Sequence, residues 1–186
     1  GYLTKRGKPE DGGYWLAIPN KEIRQIFVSQ IKEWFQEEAR KDASRLDAFC
    51  KAFPERDVAA IEEQLNSYLM RTISIRDTCA PRERKENFYH GILLGLLSHR
   101  EEWDVFSNAE SGLGYSDILI EIVEKRTGIV VEVKYAEKGN LEAGCREAMK
   151  QIEEKQYVRT LLEDGMTEII RYGIACYKKQ CKVVME

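Results

Sequence analysis

The stretch GYSDILIEIVEKRTGIVVEVKY, residues Gly114–Tyr135, decides how this chain folds. It reads as a half-buried hairpin, two apolar strands joined by a polar turn at Glu124–Lys125. Each strand carries charge where a plain hairpin has none. Asp117 opens the first strand, and Glu132 and Lys134 lie near the end of the second. Pairing about the turn sets Asp117 opposite Glu132, and a register two residues away sets it opposite Lys134. Directly opposed residues hold their Cβ atoms about 4.5–5.5 Å apart on one face. Side chains alternate along a strand, so Glu132 and Lys134 share a face. Under either register the three converge on one side, with Ile118, Ile120, Val131 and Val133 on the other. Only an odd shift separates them.

Two carboxylates gathered in this way repel each other unless positive charge lies between them. Hard oxygen donors suit Mg²⁺ or Mn²⁺, with waters completing the shell. Such an ion lowers the pKa of a bound water and neutralises charge growing on a phosphoryl oxygen. An adjacent Lys134 can orient the attacking water or stabilise the transition-state charge. The same side chains also suit a solvated ion cluster on an open sheet face. Spacing alone leaves both readings open.

Working outward, Pro81 precedes RERKENFYHGILLGLLSHR, a helical stretch apolar from Phe88 to Leu97 apart from His90 and two glycines. The period then changes from 3.6 to 2, and WDVFSN reads as a short strand ahead of the hairpin. A single helix is expected from about Asn140 to Glu163, followed by EIIRYGIACYKK and CKVVME as two strands around a tight polar turn. Helix, three strands, helix, two strands describes a mixed sheet with helices packed on it, an α/β arrangement. Upstream, Asn20 is a good N-cap for a helix whose stripe is Ile23, Ile26, Phe27, Ile31, Trp34 and Phe35. Amphipathic segments follow at Ala43–Phe53 and Asp57–Met70. Residues 1–19 hold two short apolar pieces around a polar loop, a hairpin or linker strand.

The 186 residues suffice for one substantial core. With 43% hydrophobic and 33% charged residues, the balance is that of a soluble globular chain. No apolar run approaches the roughly 18 residues that span a bilayer. Five scattered cysteines form no CxxC, so a zinc site or disulfide framework is not expected, and reduced thiols in a cytoplasm are. A net charge of −3 argues against a chain coated in phosphate-binding charge but permits a local basic groove. The chain opens at GYLTKRG without a Met, and a longer protein is expected.

Ser116-Asp117, then residues 118–131, then Glu132-Val133-Lys134 resembles the signature of the PD-(D/E)XK nuclease superfamily. The blocks KENFYHGILLGLL, SNAESGLGYSDILI, GIVVEVKYA and EAMKQIEEKQY are similar to the nuclease-like domain that ends a family of bacterial AAA-ATPase-like proteins. GYLT and IPNKEIRQIF resemble the connector that follows the ATPase there. The resemblance implies a restriction-endonuclease-like core, a mixed β-sheet flanked by helices, over residues 81–186. It makes residues 20–80 an N-terminal helical subdomain and 1–19 a connector hairpin. It also implies Mg²⁺- or Mn²⁺-dependent hydrolysis of phosphodiester bonds in DNA. By that resemblance Asp117, Glu132 and Glu86 hold the metal, Lys134 is the catalytic lysine, and Gln151 supports the site from a helix motif that includes Tyr157. The implied partners are nucleic acid and an ATPase domain of the same full-length protein, with no membrane. The alternative is an inactive nuclease fold serving regulation or partner binding. The family's proline before the aspartate is Ser116 here, and its basic or polar residue two positions before is Tyr115.

Other residues compete for roles. Glu110 suits an additional ligand or a surface-loop acid. His90 lies one turn from Glu86, where it could reach a metal shell or make a packing hydrogen bond. ESGLG lacks the Lys-Ser/Thr ending of a phosphate-binding loop, and the chain has no Walker A motif. The run Arg82–Lys85 and the pair Lys178 and Lys179 are candidate phosphate contacts or solvated faces. Trp34 and Trp103 read as core or connector packing.

Overall fold

A computed structural model describes residues 4–7, 15–17, 43–73, 82–107, 117–155 and 157–186. The chain divides into two units, residues 1–41 and 42–186. The first contains β1 (Thr4–Gly7) and β2 (Trp15–Ala17), an antiparallel pair with Thr4 opposite Ala17 and Lys5 opposite Leu16. The helix expected from Asn20, and Trp34 within it, lie outside the described residues.

The second unit runs α1 (Ala43–Ala52), α2 (Val58–Thr72), α3 (Arg82–Leu97), β3 (Asp104–Ser107), β4 (Asp117–Ile122) and β5 (Thr127–Tyr135). It continues with α4 (Leu141–Glu154), α5 (Tyr157–Glu163), β6 (Glu168–Tyr177) and β7 (Gln180–Met185). The five strands lie in the order β3-β4-β5-β6-β7, and only β5–β6 is parallel. A parallel neighbour cannot be reached by a tight turn, so α4 and α5 supply the crossover. This is the mixed α/β sheet with flanking helices that the sequence predicts.

Local chemistry sets the element ends. Asp57 accepts the Ala60 N–H and starts α2, and Asn140 accepts the Ala143 N–H and starts α4. The helix expected over Asn140–Glu163 is two helices. Lys155 takes extended backbone (φ −100, ψ 149) after the polar run Glu153-Glu154, where no apolar side chain holds the helix to the sheet. The β4–β5 turn is a single 3₁₀ turn at Val123–Lys125, closed by Arg126 in the left-handed region (φ 50).

The hairpin is not half-buried: every residue of β5 is buried. β5 is the central strand and has layers on both faces, the situation that favours a continuous apolar run. On one face Leu119 and Val130 pack with Met149 and Ile152 of α4, Leu161 of α5 and Met166. The other face carries Ile118, Ile120, Val131 and Val133, all fully buried. There Tyr172 of β6 meets Phe53 edge-on, with its hydroxyl donating to the Phe53 carbonyl at 2.6 Å. Trp103 is buried, in keeping with a packing role.

β7 is an edge strand whose outer rim is satisfied by α2. Asn66 donates to the Cys181 carbonyl (3.1 Å) and accepts the Cys181 N–H (2.8 Å), and Glu62 accepts the Val183 N–H (2.8 Å). These side chains occupy the positions of a missing strand.

Candidate functional site

The β4–β5 register is the first of the two anticipated: Asp117 pairs with Glu132, Leu119 with Val130 and Ile120 with Ile129. Continued across the sheet, the same row runs from Glu132 to Gly173 of β6 and Val184 of β7. A Cβ built on Gly173 meets Met149 Sδ at 2.9 Å and the Cys145 carbonyl at 3.1 Å, so this row faces α4. Glu132 is therefore on the α4 face, and alternation places Lys134 beside it.

Among the described residues β4 is paired with β5 only as far as Asp117–Glu132. Ala136 N–H points to β6, donating to the Cys176 carbonyl at 2.8 Å. Tyr135 N–H, one residue earlier, points the other way, and Glu86 Oε1 accepts it at 3.2 Å. Glu86, in the first half of α3, thus caps the β5 ladder where the β4 pairing stops. Its second oxygen lies 4.0 Å from Lys134 Nζ, and Lys134 Nζ lies 2.8 Å from Glu132 Oε1. Glu132 is 0% exposed and Lys134 5%.

Glu86, Glu132 and Lys134, three of the anticipated residues, therefore meet at the C-terminal half of β5. Asp117 shares their row through its backbone, and its side chain lies outside the described atoms. Gln151 is half-buried on the flank of α4, next to fully buried Ile152. The side chain of Tyr157 and the residues Glu110, Tyr115 and Ser116 lie outside the described residues. His90 turns towards edge strand β3, its Nε2 3.4 Å from Ser107 Oγ. The role of Tyr135 was not foreseen, because a backbone N–H leaves no mark in side-chain spacing.

The donor chemistry fits a hard divalent cation. Two carboxylates converge on one ammonium, which leaves negative charge in excess. Burying such excess is costly unless a further cation balances it. Among the described side chains no three His, Cys, Asp or Glu groups gather as a metal cluster. The described cysteines form no soft metal cluster with one another or with His, Asp or Glu. Cys50, Cys145, Cys176 and Cys181 are buried and free, and burial holds all four thiols above their ordinary pKa, Cys50 at about 12. No described helix is long and apolar enough to cross a membrane.

A search of curated proteins and a search of solved structures each returned no match. A family model of the PD-(D/E)XK nuclease superfamily matches residues 84–186, which spans α3, the whole five-stranded sheet and both crossover helices. With that match over more than half of its length, and a carboxylate–lysine cluster on the central strand of the matched sheet, the chain belongs to the PD-(D/E)XK nuclease superfamily.

Proposed function

We propose that this chain is a metal-dependent nuclease domain that hydrolyses phosphodiester bonds in DNA. The observation that carries the reading is the contact of Lys134 with both Glu132 and Glu86, in the sheet row that begins at Asp117. Asp117, Glu132 and Glu86 would hold Mg²⁺ or Mn²⁺, which when bound supplies an acidified water and charge neutralisation at the phosphoryl group. Lys134 contacts both described acids and would hold a nucleophilic water by hydrogen bonding and offset charge on the phosphoryl oxygens. Glu86 has a second duty, because its bond to Tyr135 N–H fixes the backbone that carries Lys134. Gln151, on the flank of α4, is assigned a supporting contact to water or substrate. Leu119 and Val130, together with α4 and α5, wall the site on one side and limit water there.

The test is cleavage of supercoiled and linear DNA with Mg²⁺ or Mn²⁺, alongside Asp117→Ala and Lys134→Ala variants whose folding is checked by circular dichroism. Metal-dependent cutting lost in both folded variants supports the proposal. Absence of both cutting and metal binding in the unaltered protein overturns it. That outcome favours the alternative of an inactive nuclease fold. Its observation is that Lys134 already meets two carboxylates, an ion cluster that can serve the fold as well as catalysis. The N-terminal similarity to an ATPase connector supports a partner ATPase region within a longer protein, and either reading accommodates it.

A further inference from the structure

The end of the sheet beside this site carries a cluster of tyrosines and lysines. Strands β5 and β6 run parallel, with Tyr135 opposite Cys176, so the turn after β5 and the turn after β6 emerge together. Three tyrosines line that end. Tyr89 of α3 stacks on Tyr135 with ring centroids 6.3 Å apart, and Tyr135 meets Tyr177 at 5.7 Å. Lysines rest on this ladder. Lys85 Nζ lies 4.5 Å from the Tyr135 ring centre, and Lys178 Nζ lies 5.2 Å from that of Tyr177. Lys138 follows in the turn after β5, beside Gly139, where an added Cβ would lie 3.4 Å from the Tyr177 ring.

Two observations mark these lysines, the first at Lys138 and Lys178 and the second at all three. The first is backbone strain. Lys138 (φ 54) and Lys178 (φ 52) sit in the left-handed region, where a glycine or asparagine rests more cheaply. Arg56 and Arg126 share that conformation, but their side chains are used within the protein. Arg56 pairs with Glu168 at 2.6 Å, and Arg126 donates to the Gly165 carbonyl. The second is pairing. Lys150, Lys182 and Arg159 each meet a carboxylate, whereas among the described residues Lys85, Lys138 and Lys178 meet none. Tyr89, 1% exposed, also donates its hydroxyl to the Lys178 carbonyl at 2.6 Å, which fixes the strained turn in place. Glu86 and Glu137 are acids at the same end. Glu86 is engaged by Tyr135 and Lys134, and Glu137 is solvent-exposed.

We infer that Lys85, Lys138 and Lys178 form a phosphate-gripping rim, held by the Tyr89–Tyr135–Tyr177 ladder, that seats the DNA backbone against the candidate site. This rests on the proposed nuclease reading. Glu86 accepts the Tyr135 N–H and lies 4.0 Å from Lys134, and Lys85 rests on the Tyr135 ring, so the rim and the acids meet at the same end of β5. Phosphate contacts of this kind give register and affinity without sequence preference.

The experiment measures binding of a short fluorescein-labelled DNA duplex by anisotropy across a salt series, with Ca²⁺ as the ion, and cleavage with Mg²⁺ in parallel. The variants are Lys85→Gln/Lys138→Asn/Lys178→Asn, and Lys51→Gln/Lys125→Gln as a control for charge alone. The rim variant is expected to bind at least about tenfold more weakly, with the salt slope reduced by about one for each lysine removed. The control is expected to bind like the unaltered protein. Asparagine suits the left-handed positions, so the rim variant is also expected to melt no lower than the original, which separates lost binding from lost folding. Cleavage by the unaltered protein with undiminished binding by the rim variant overturns the rim and leaves the nuclease reading standing. Equal weakening by both variants also overturns it. If the unaltered protein neither binds nor cuts DNA, the nuclease reading fails and the rim fails with it.

Discussion

Lys134 Nζ sits 2.8 Å from Glu132 Oε1, with Glu132 fully buried and Lys134 nearly so. Removing one member of such a pair strands the other charge in the interior. Lys134→Met is expected to cost about 3–5 kcal/mol of stability, and Glu132→Leu a similar amount. The double change Glu132→Leu/Lys134→Met is expected to recover part of the loss, since the two facing charges leave together while Glu86 still loses its lysine. Urea unfolding of the four proteins without metal checks this. Additive losses in the double variant contradict the pairing.

Tyr172 ties the α1–α2 turn to β6 through its hydroxyl bond to the Phe53 carbonyl. Tyr172→Phe leaves that carbonyl unsatisfied within the core and is expected to cost about 1–3 kcal/mol. The bond also has a pH signature. Burial raises the phenol from its ordinary value of 10.0 to about 12. The unfolded chain therefore loses this proton first as pH rises, and the contribution is full below about pH 10 and lost through about pH 12. Over that window the unaltered protein is expected to lose stability more steeply than Tyr172→Phe, as measured by chemical denaturation at each pH.

The register of β4 on β5 was legible because two apolar runs and one polar turn admit few pairings, and one of them sets Asp117 on Glu132. The mixed sheet was legible for a similar reason, since the period changes after Leu97. The double burial of β5 was not, because it depends on β6, a parallel partner that joins only after two helices. The break at Lys155 carries no glycine or proline to announce it. The Glu86–Tyr135 bond and the tyrosine ladder join residues far apart in sequence, and one of them acts through its backbone. Such contacts exist only once the sheet order is fixed.

The rim of β7 is held by two α2 side chains in place of a strand. Asn66 serves both the N–H and the carbonyl of Cys181, and Glu62 serves Val183 N–H. Asn66→Ala is expected to cost about 1–3 kcal/mol. It also leaves open backbone groups on an edge strand, which template pairing with another chain. Concentration-dependent light scattering is expected to appear in Asn66→Ala well below its melting temperature and to be absent from the original. Asn66→Asp keeps the acceptor for Cys181 N–H but loses the donor, so its stability is expected to fall between the two.

Gly173 occupies the row of Asp117 and Glu132 at a point where α4 packs close against the sheet. A methyl group there would lie 2.9 Å from Met149 Sδ and 3.1 Å from the Cys145 carbonyl. The methionine is flexible and can withdraw, but the carbonyl belongs to the helix backbone and moves only with α4 itself. Gly173→Ala is expected to cost about 1–3 kcal/mol by overpacking. Shortening the methionine in Gly173→Ala/Met149→Ala is expected to recover little of that loss, because the backbone contact remains and a cavity is added. Because α4 also walls the site, lifting it is expected to slow cleavage while the protein stays folded. Thermal melts and DNA-cleavage rates on the same preparations test both halves. Full rescue by Met149→Ala would show that the close approach is carried by the side chain alone.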